Sequence, residues 1–241
     1  MLDFQQNIIL ISIICVLVCK IIIVWIFFLR YRREKKLKEK ENSARIAVML
    51  SQIQPHFLYN SLAVIKHLCT KDPQAAQETV VEFSDYLRGN IDALTHNEPI
   101  PFEKELHHVK VYLKIEKRRF EDRLNIAYDI QTQDFMIPTL TLQPIVENAV
   151  RHGVTKKENG GTVTIRTEMT EKGYIITVTD DGTGFDSSKQ MTGENAQTEN
   201  ESVRVGVDSV RNRLAVMCGG TLDIKSVPEA GTTAIITIPG S

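Results

Sequence analysis

One histidine of this chain stands beside a predicted bend in a helix, where its ring could act as a nucleophile. His56 lies in the stretch SQIQPHFLYNSLAVI, directly after Pro55 and before Phe57. Proline removes a backbone hydrogen bond and crowds the carbonyl four residues earlier, so the helix predicted here should bend beside His56. Neutral imidazole is a nucleophile, and an ordinary histidine pKa near ~6.5 supplies that form at neutral pH. Taken alone, such a histidine is more often a core or surface residue beside a kink.

A second set of chemical groups lies in ENAVRHG, on a predicted amphipathic helix. Asn148 offers a neutral amide oxygen, a ligand type that Mg²⁺ accepts, and Arg151 can bind a phosphate through two donors. Glu147 could act as a base, and His152 could line the phosphate end of a pocket. An asparagine on a helix face is commonly only solvated, so this segment alone does not define a site.

Glycine-containing turns supply the third set of groups. In VTDDGTGF a predicted strand delivers Asp180 to a turn in which Gly182 and Gly184 permit close backbone approach. A carboxylate there can accept a hydrogen bond from a purine amine. Gly206 is predicted at the start of a helix, where free backbone N–H groups suit a phosphate. EAGTTAIITIP, which contains Thr232, forms a turn into a closing strand.

The N-terminal residues 1–30 are predicted to form a membrane anchor. Ile8–Leu29 is apolar nearly throughout and long enough to span a bilayer, and RYRREKKLKEK follows it. This charge asymmetry predicts a short outer N-terminus and a cytoplasmic remainder, and no small-residue cleavage site follows the run. Lys20 either extends its side chain toward the inner interface or contacts a membrane partner.

Residues 31–101 are predicted to form a juxtamembrane helix and a helical hairpin. The first helix carries an apolar seam of coiled-coil type, made of Ile46, Leu50, Ile53 and Phe57. This seam predicts pairing with a second copy, so that two hairpins would form a four-helix dimer. Asp72 and Pro73 are the predicted N-cap and first residue of the second helix, which should run to about Leu94.

Residues 102–241 are predicted to form an α+β domain or a mixed α/β sandwich. A charged linker helix begins the region, and the alternating or β-branched strands are LNIAYDI, TVTIRTEM, YIITVTD, TLDIKSV and TAIITIP. The polar segment 186–204 is predicted to be a mobile loop or lid, because it has too little apolar surface to fold by itself. The formal net charge of -1 argues against a nucleic-acid binder. The 4 cysteines show neither a disulfide framework nor zinc spacing.

The order of these pieces resembles the ATP-binding domain of the GHKL superfamily: Asn-helix, DxGxG turn, lid, Gly-helix and GT-strand. QPHFLYNSL and FEKELHHVKVYLKIEKRRF narrow the resemblance to the LytS/YesM-type sensor histidine kinases, over roughly residues 44–239. This resemblance implies helices on one face of a mixed sheet, with ATP held between the sheet and the lid.

The resemblance also implies residue roles. His56 would be the phosphoacceptor, Asn148 the Mg²⁺ ligand and Asp180 the carboxylate that reads adenine. The nucleotide would be lined by Gly182, Gly184 and Gly206, with Thr232 closing the pocket. The chain departs from the family pattern at Arg204, Val207 and Ser209. Many histidine kinases place a carboxylate directly after the histidine; here Phe57 stands there, and either Asn60 or Glu147 would orient or deprotonate the ring.

We therefore expect a homodimeric sensor histidine kinase, single-pass in a bacterial cell membrane. It would transfer the γ-phosphate of Mg·ATP to His56 and then to an aspartate of a separate cytoplasmic response regulator, since the sequence shows no receiver domain. The sequence leaves open whether a separate membrane receptor or sensor partner supplies the signal. Two alternatives remain: a degenerate kinase that binds ATP or only dimerises, and a GHKL ATPase or serine kinase.

Overall fold

The computed structural model describes residues 25, 27–28, 30–35, 55–95, 98–186 and 198–240, with side chains in the last range from Gly206 onward. The chain forms two compact units, Met1–Gln54 and Pro55–Ser241. Lys20, most of the predicted membrane anchor and the residues before Pro55 in the predicted seam lie outside the described residues. Within the described ranges, none of the helices is both long enough and apolar enough to cross a bilayer.

The second unit combines helices with strands. Its described α-helices are α1 (Pro55–Lys71), α2 (Pro73–Thr95), α3 (Phe102–Phe120), α4 (Leu142–Asn148) and α5 (Thr198–Cys218). Its described strands are β1 (Ile100–Pro101), β2 (Leu124–Ile130), β3 (Met136–Ile137), β4 (Gly161–Thr170), β5 (Gly173–Asp180), β6 (Thr221–Val227) and β7 (Gly231–Pro239). A π turn, Ala149–Gly153, follows α4 directly.

The hairpin forms as its break residues predict. The backbone N–H of Ala75 donates to Asp72 Oδ1 at 3.0 Å, and α2 begins at Pro73, which confirms the predicted cap. Phe57 is 3% exposed and packs against Tyr86 and Tyr112 of the same chain, with ring centroids 4.5 and 5.1 Å away. The prediction that Phe57 faces a second copy is therefore wrong. Its ring fills the core between α1, α2 and α3.

The sheet is mixed, as predicted. Its order is β2-β4-β5-β7-β6; β2 and β4 are parallel, and the other neighbours are antiparallel. Alternate residues of the central strands are buried, including Ile165, Ile176 and Ile236. They share one core with Val146 of α4 and Leu214 of α5. One face of the sheet is therefore covered by helices, which places α4 over the sheet in which β5 ends at Asp180.

Helix α5 begins earlier than the sequence predicts. It starts at Thr198, so Gly206 lies inside the helix and not at its N-terminus. The second part of the segment predicted to be an irregular lid is thus helical. Residues 198–205 contain neither glycine nor proline, so a helix anchored by Val210 and Leu214 can extend backward through them.

Candidate functional site

His56 is exposed on the first turn of α1, and its ring contacts Asn60. The amide nitrogen of Asn60 lies 2.9 Å from Nδ1 and 3.3 Å from Nε2 of the imidazole. The pKa of His56 is lowered by partial burial and then by the positive charges of Arg119 and Arg151. The neutral ring is therefore favoured at neutral pH, with one polar side chain holding it one turn away.

Glu147 lies at the contact between α4 and α2. It is 7% exposed, and its Oε1 accepts hydrogen bonds from Gln143 Nε2 at 2.8 Å and from Tyr86 Oη at 3.3 Å. Burial raises the pKa of this carboxyl to about 7, although the two hydrogen bonds oppose the rise. Of the two residues predicted to orient His56, Asn60 contacts the ring, whereas Glu147 is held by α2.

Asn148 is the last residue of α4, and the backbone widens into a π turn immediately after it. Such turns hold one more residue than an α-helical turn and occur frequently at functional sites. Arg151, His152 and Gly153 lie within this turn. The sequence predicted a continuous helix here, because hydrophobic periodicity does not distinguish a single widened turn.

Asp180 ends β5 with its carboxyl group buried. The backbone N–H of Gly182 donates to its Oδ1 at 3.0 Å. A β-carbon at Gly153 would overlap this carboxyl group, so only glycine permits the π turn to approach so closely. Burial raises the pKa of Asp180 to about 6, which leaves the carboxylate mostly ionised at neutral pH. Thr232 is its direct partner in β7, as expected for a residue beside Asp180.

The DDGTGF turn is joined to the π turn by hydrogen bonds. Thr183 donates through Oγ1 to the carbonyl of His152 at 3.2 Å and through its backbone N–H to the carbonyl of Gly153 at 3.4 Å. Gly184 has a φ of 58°, and a side chain there would overlap the carbonyl of Val227. The structure thus brings Asn148, the π turn and Asp180 into one region of the molecule.

Ser226 is a residue of this region that sequence reasoning missed. Its hydroxyl accepts from the backbone N–H of Phe185 at 2.9 Å, donates to the carbonyl of Gly231 at 3.1 Å and lies 2.9 Å from Thr232 Oγ1. It therefore fixes the turn after Asp180 against β7. The signal was present in TLDIKSV, where period-two alternation places this serine on the buried face.

Gly206 is a predicted site residue that the contacts among the described residues do not join to this group. A β-carbon added there would meet no atom of the described part of the chain within 4 Å. Its place inside α5 removes the predicted phosphate contact through a helix N-terminus. A role for Gly206 in lining the nucleotide stays a prediction.

The fold and this site define a class: a nucleotide-binding α/β sandwich that shares a core with a histidine-bearing helical hairpin. Comparison with known proteins gives the same class. A histidine kinase family model matches residues 44–124, and the family described as histidine kinase-, DNA gyrase B- and HSP90-like ATPase matches residues 136–241. The chain belongs to the histidine kinases with a GHKL-type ATP-binding domain, in the group that includes the LytS sensor proteins.

Three relatives illustrate the match. The uncharacterized protein YwpD of Bacillus subtilis strain 168 is 38% identical over 88% of this chain and 77% of its own length. The sensor histidine kinase YpdA of Escherichia coli K12 is 35% identical over 88% of this chain, and the sensor protein LytS of Oceanobacillus iheyensis is 31% identical over 77%. The chain covers only 37% of YpdA and 32% of LytS.

Proposed function

We propose that this protein is a membrane-bound, homodimeric sensor histidine kinase that phosphorylates His56 from Mg·ATP and passes the phosphoryl group to an aspartate of a separate response regulator. The observation that carries the proposal is the exposed His56 ring, held by Asn60, on a hairpin that shares one core with an ATP-binding fold. Membrane attachment rests on the apolar run Ile8–Leu29 and the basic residues that follow it.

In this proposal Asp180 would recognise the adenine ring. An ionised carboxylate can accept from the exocyclic amine, and the glycines at 153, 182 and 184 allow the turns to pack closely around it. Asn148 would supply an amide oxygen to Mg²⁺, which commonly takes few protein ligands and completes its shell with water and phosphate oxygens. When bound, this ion would neutralise phosphate charge. Arg151, three residues later, would bind phosphate oxygens directly.

Asn60 would set the tautomer of the acceptor histidine. An asparagine amide can present either its nitrogen or its oxygen after a 180° rotation. With its oxygen toward Nδ1–H, the lone pair of Nε2 is free to attack. The new N–P bond forms as the bond from the γ-phosphorus to the bridging oxygen breaks, ADP leaves with that electron pair, and the ring proton is lost to solvent.

The test uses the full chain in phospholipid vesicles with γ-labelled ATP and Mg²⁺. We expect acid-labile label on the wild type and none on His56→Gln or Asn148→Ala. Circular dichroism shows whether the variants keep their fold, and the labelled protein is then mixed with purified receiver domains to follow transfer to an aspartate.

Other outcomes identify the alternatives. ATP binding without label in the wild type would indicate a degenerate kinase, and ATP hydrolysis without phosphoprotein would indicate a GHKL ATPase. Acid-stable label that persists in His56→Gln would indicate phosphorylation of serine. Any of these three results would contradict the proposed reaction.

A further inference from the structure

One tyrosine connects the neighbour of the proposed phosphoacceptor to the neighbour of the proposed metal ligand. Phe57, next to His56, packs on the ring of Tyr86 with centroids 4.5 Å apart. The hydroxyl of that same tyrosine donates to Glu147, next to Asn148, at 3.3 Å. All these residues belong to one chain, so a single side chain contacts both the neighbour of the proposed acceptor and the neighbour of the proposed metal ligand.

This connection is part of the folded core. Tyr86 is 0% exposed, and its ring also lies against Tyr112 and stacks on His108. Gln143 Nε2 donates both to Tyr86 Oη at 3.1 Å and to Glu147 Oε1 at 2.8 Å, so α2 and α4 are joined by a closed set of hydrogen bonds. The contact fixes the position of α4 relative to the hairpin of its own chain.

The charges around His56 agree with this arrangement. Arg151 lies in the π turn that continues α4, and Arg119 lies near the end of α3. Both guanidinium groups act on the imidazole strongly enough to lower its pKa. The part of the ATP-binding region that would hold phosphates therefore lies within electrostatic range of the histidine in the same chain.

We propose that autophosphorylation occurs in cis: each chain transfers the γ-phosphate of the ATP bound at its own Asp180 and Asn148 to its own His56. This inference rests on the proposed kinase activity and adds which chain of the dimer accepts the phosphoryl group. Transfer in trans would require the His56 of a partner to replace the histidine of the same chain beside α4, which is packed on its own Tyr86. In cis the reactants are held together by the fold, so the rate per chain does not depend on protein concentration.

The deciding experiment pairs two differently tagged full-length chains in vesicles. One chain carries His56→Gln and keeps its nucleotide site, and the other carries Asn148→Ala and keeps its histidine. Mixed pairs are recovered through one tag and detected through the other. A parallel pair joins a wild-type chain to a chain with both substitutions, and all pairs receive γ-labelled ATP and Mg²⁺.

In cis, the first pair stays unlabelled and the second carries label on its wild-type chain only. Label on the Asn148→Ala chain of the first pair, at a rate near that of the wild type, would overturn the proposal. If the wild-type homodimer itself takes no label, the proposed kinase activity has failed and cis transfer fails with it. If no mixed pairs form because the chains are monomeric in the vesicles, label on the wild-type monomer supports transfer in cis, and a monomer that binds ATP but takes no label contradicts it.

Discussion

The amide of Asn60 is the polar group that the structure places against His56. A carboxylate that orients a histidine can only accept a hydrogen bond from the ring, whereas an amide can either donate or accept one. The position i+4 on a helix brings the two side chains onto the same face. Substitutions at this position can therefore show whether the side chain must accept a hydrogen bond from the ring.

Substitution of Asn60 by aspartate should largely preserve the autophosphorylation rate, whereas substitution by leucine should lower it. Asn60→Asp keeps an acceptor for Nδ1–H, so we expect autophosphorylation within a few-fold of the wild type. Asn60→Leu has nearly the same size but no acceptor, and we expect a rate about 10²-fold lower, at the low end of the range for proton-handling groups. Initial rates of acid-labile labelling at saturating ATP measure both.

Nucleotide affinity is the control for this pair, because Asn60 lies on the hairpin and not on the ATP-binding elements. Fluorescent ATP analogues should bind both variants as they bind the wild type. Equal labelling rates for the leucine variant and the wild type would show that Asn60 has no role in the reaction.

The site residues that could be predicted from the sequence are those whose backbone conformation a local motif determines. Asp180 and its glycines were predicted because a strand followed by DGTG leaves few choices for the backbone. Tyr86 and Gln143 were missed because their contacts join residues 57 positions apart. No local pattern distinguishes such a tyrosine from an ordinary core residue.

At the scale of elements, the Asp72–Pro73 pair determines where the hairpin turns. Asp72 Oδ1 accepts the N–H of Ala75, which has no partner within the helix, and Pro73 occupies the first helical position without losing a hydrogen bond. Both the cap contact and the position of the proline depend only on adjacent residues, which explains why this boundary could be predicted from the sequence.

Asp72→Ala should destabilise the folded unit by about 1 kcal/mol, the usual cost of removing an N-cap side chain. Asp85→Ala is a matched control, because this exposed aspartate lies inside α2, where alanine favours the helix. Urea unfolding followed by circular dichroism measures both changes. An Asp72 variant as stable as the Asp85 variant would contradict the assigned cap.

The start of α5 shows where prediction of elements fails. The polar composition of residues 186–204 predicted an irregular lid, yet the helix begins at Thr198. Low hydrophobicity indicates that a segment cannot fold alone, but it does not prevent extension of a helix that is anchored further along. Gly206 was misplaced for the same reason.

At the scale of the whole molecule, the hairpin and the ATP-binding part share one core. Phe57, Tyr86 and Tyr112 come from three helices, and Tyr86 reaches α4 through Glu147. On the outside, Arg118 of α3 pairs with Glu82 and, at 3.1 Å, with Glu78 of α2. A rearrangement of the hairpin should therefore change the geometry of the nucleotide site.

Phe57→Ala should lower the free energy of unfolding by about 3–5 kcal/mol, the usual cost of emptying an aromatic core position. Because the core is shared, loss of helix signal and loss of ATP-analogue binding should occur in one urea transition. Val216→Ala is the control: this side chain is 84% exposed, and we expect a change within about 0.5 kcal/mol. Two separate transitions in the Phe57 variant would show that the two parts fold independently.

The π turn at Ala149–Gly153 has a consequence for how sequences of this kind can change length. A π turn accommodates one more residue than the α-helical turn it replaces. Deleting one residue from it would close it to an α-helical turn, which leaves Gly153 on nearly the same side of the helix axis. Inserting one residue would instead rotate Gly153 relative to Asn148 by about 100°, the angle per residue of an α-helix, and its close approach to Asp180 would be lost. Among relatives, the segment from Asn148 to Gly153 should therefore lose at most one residue and should not gain any.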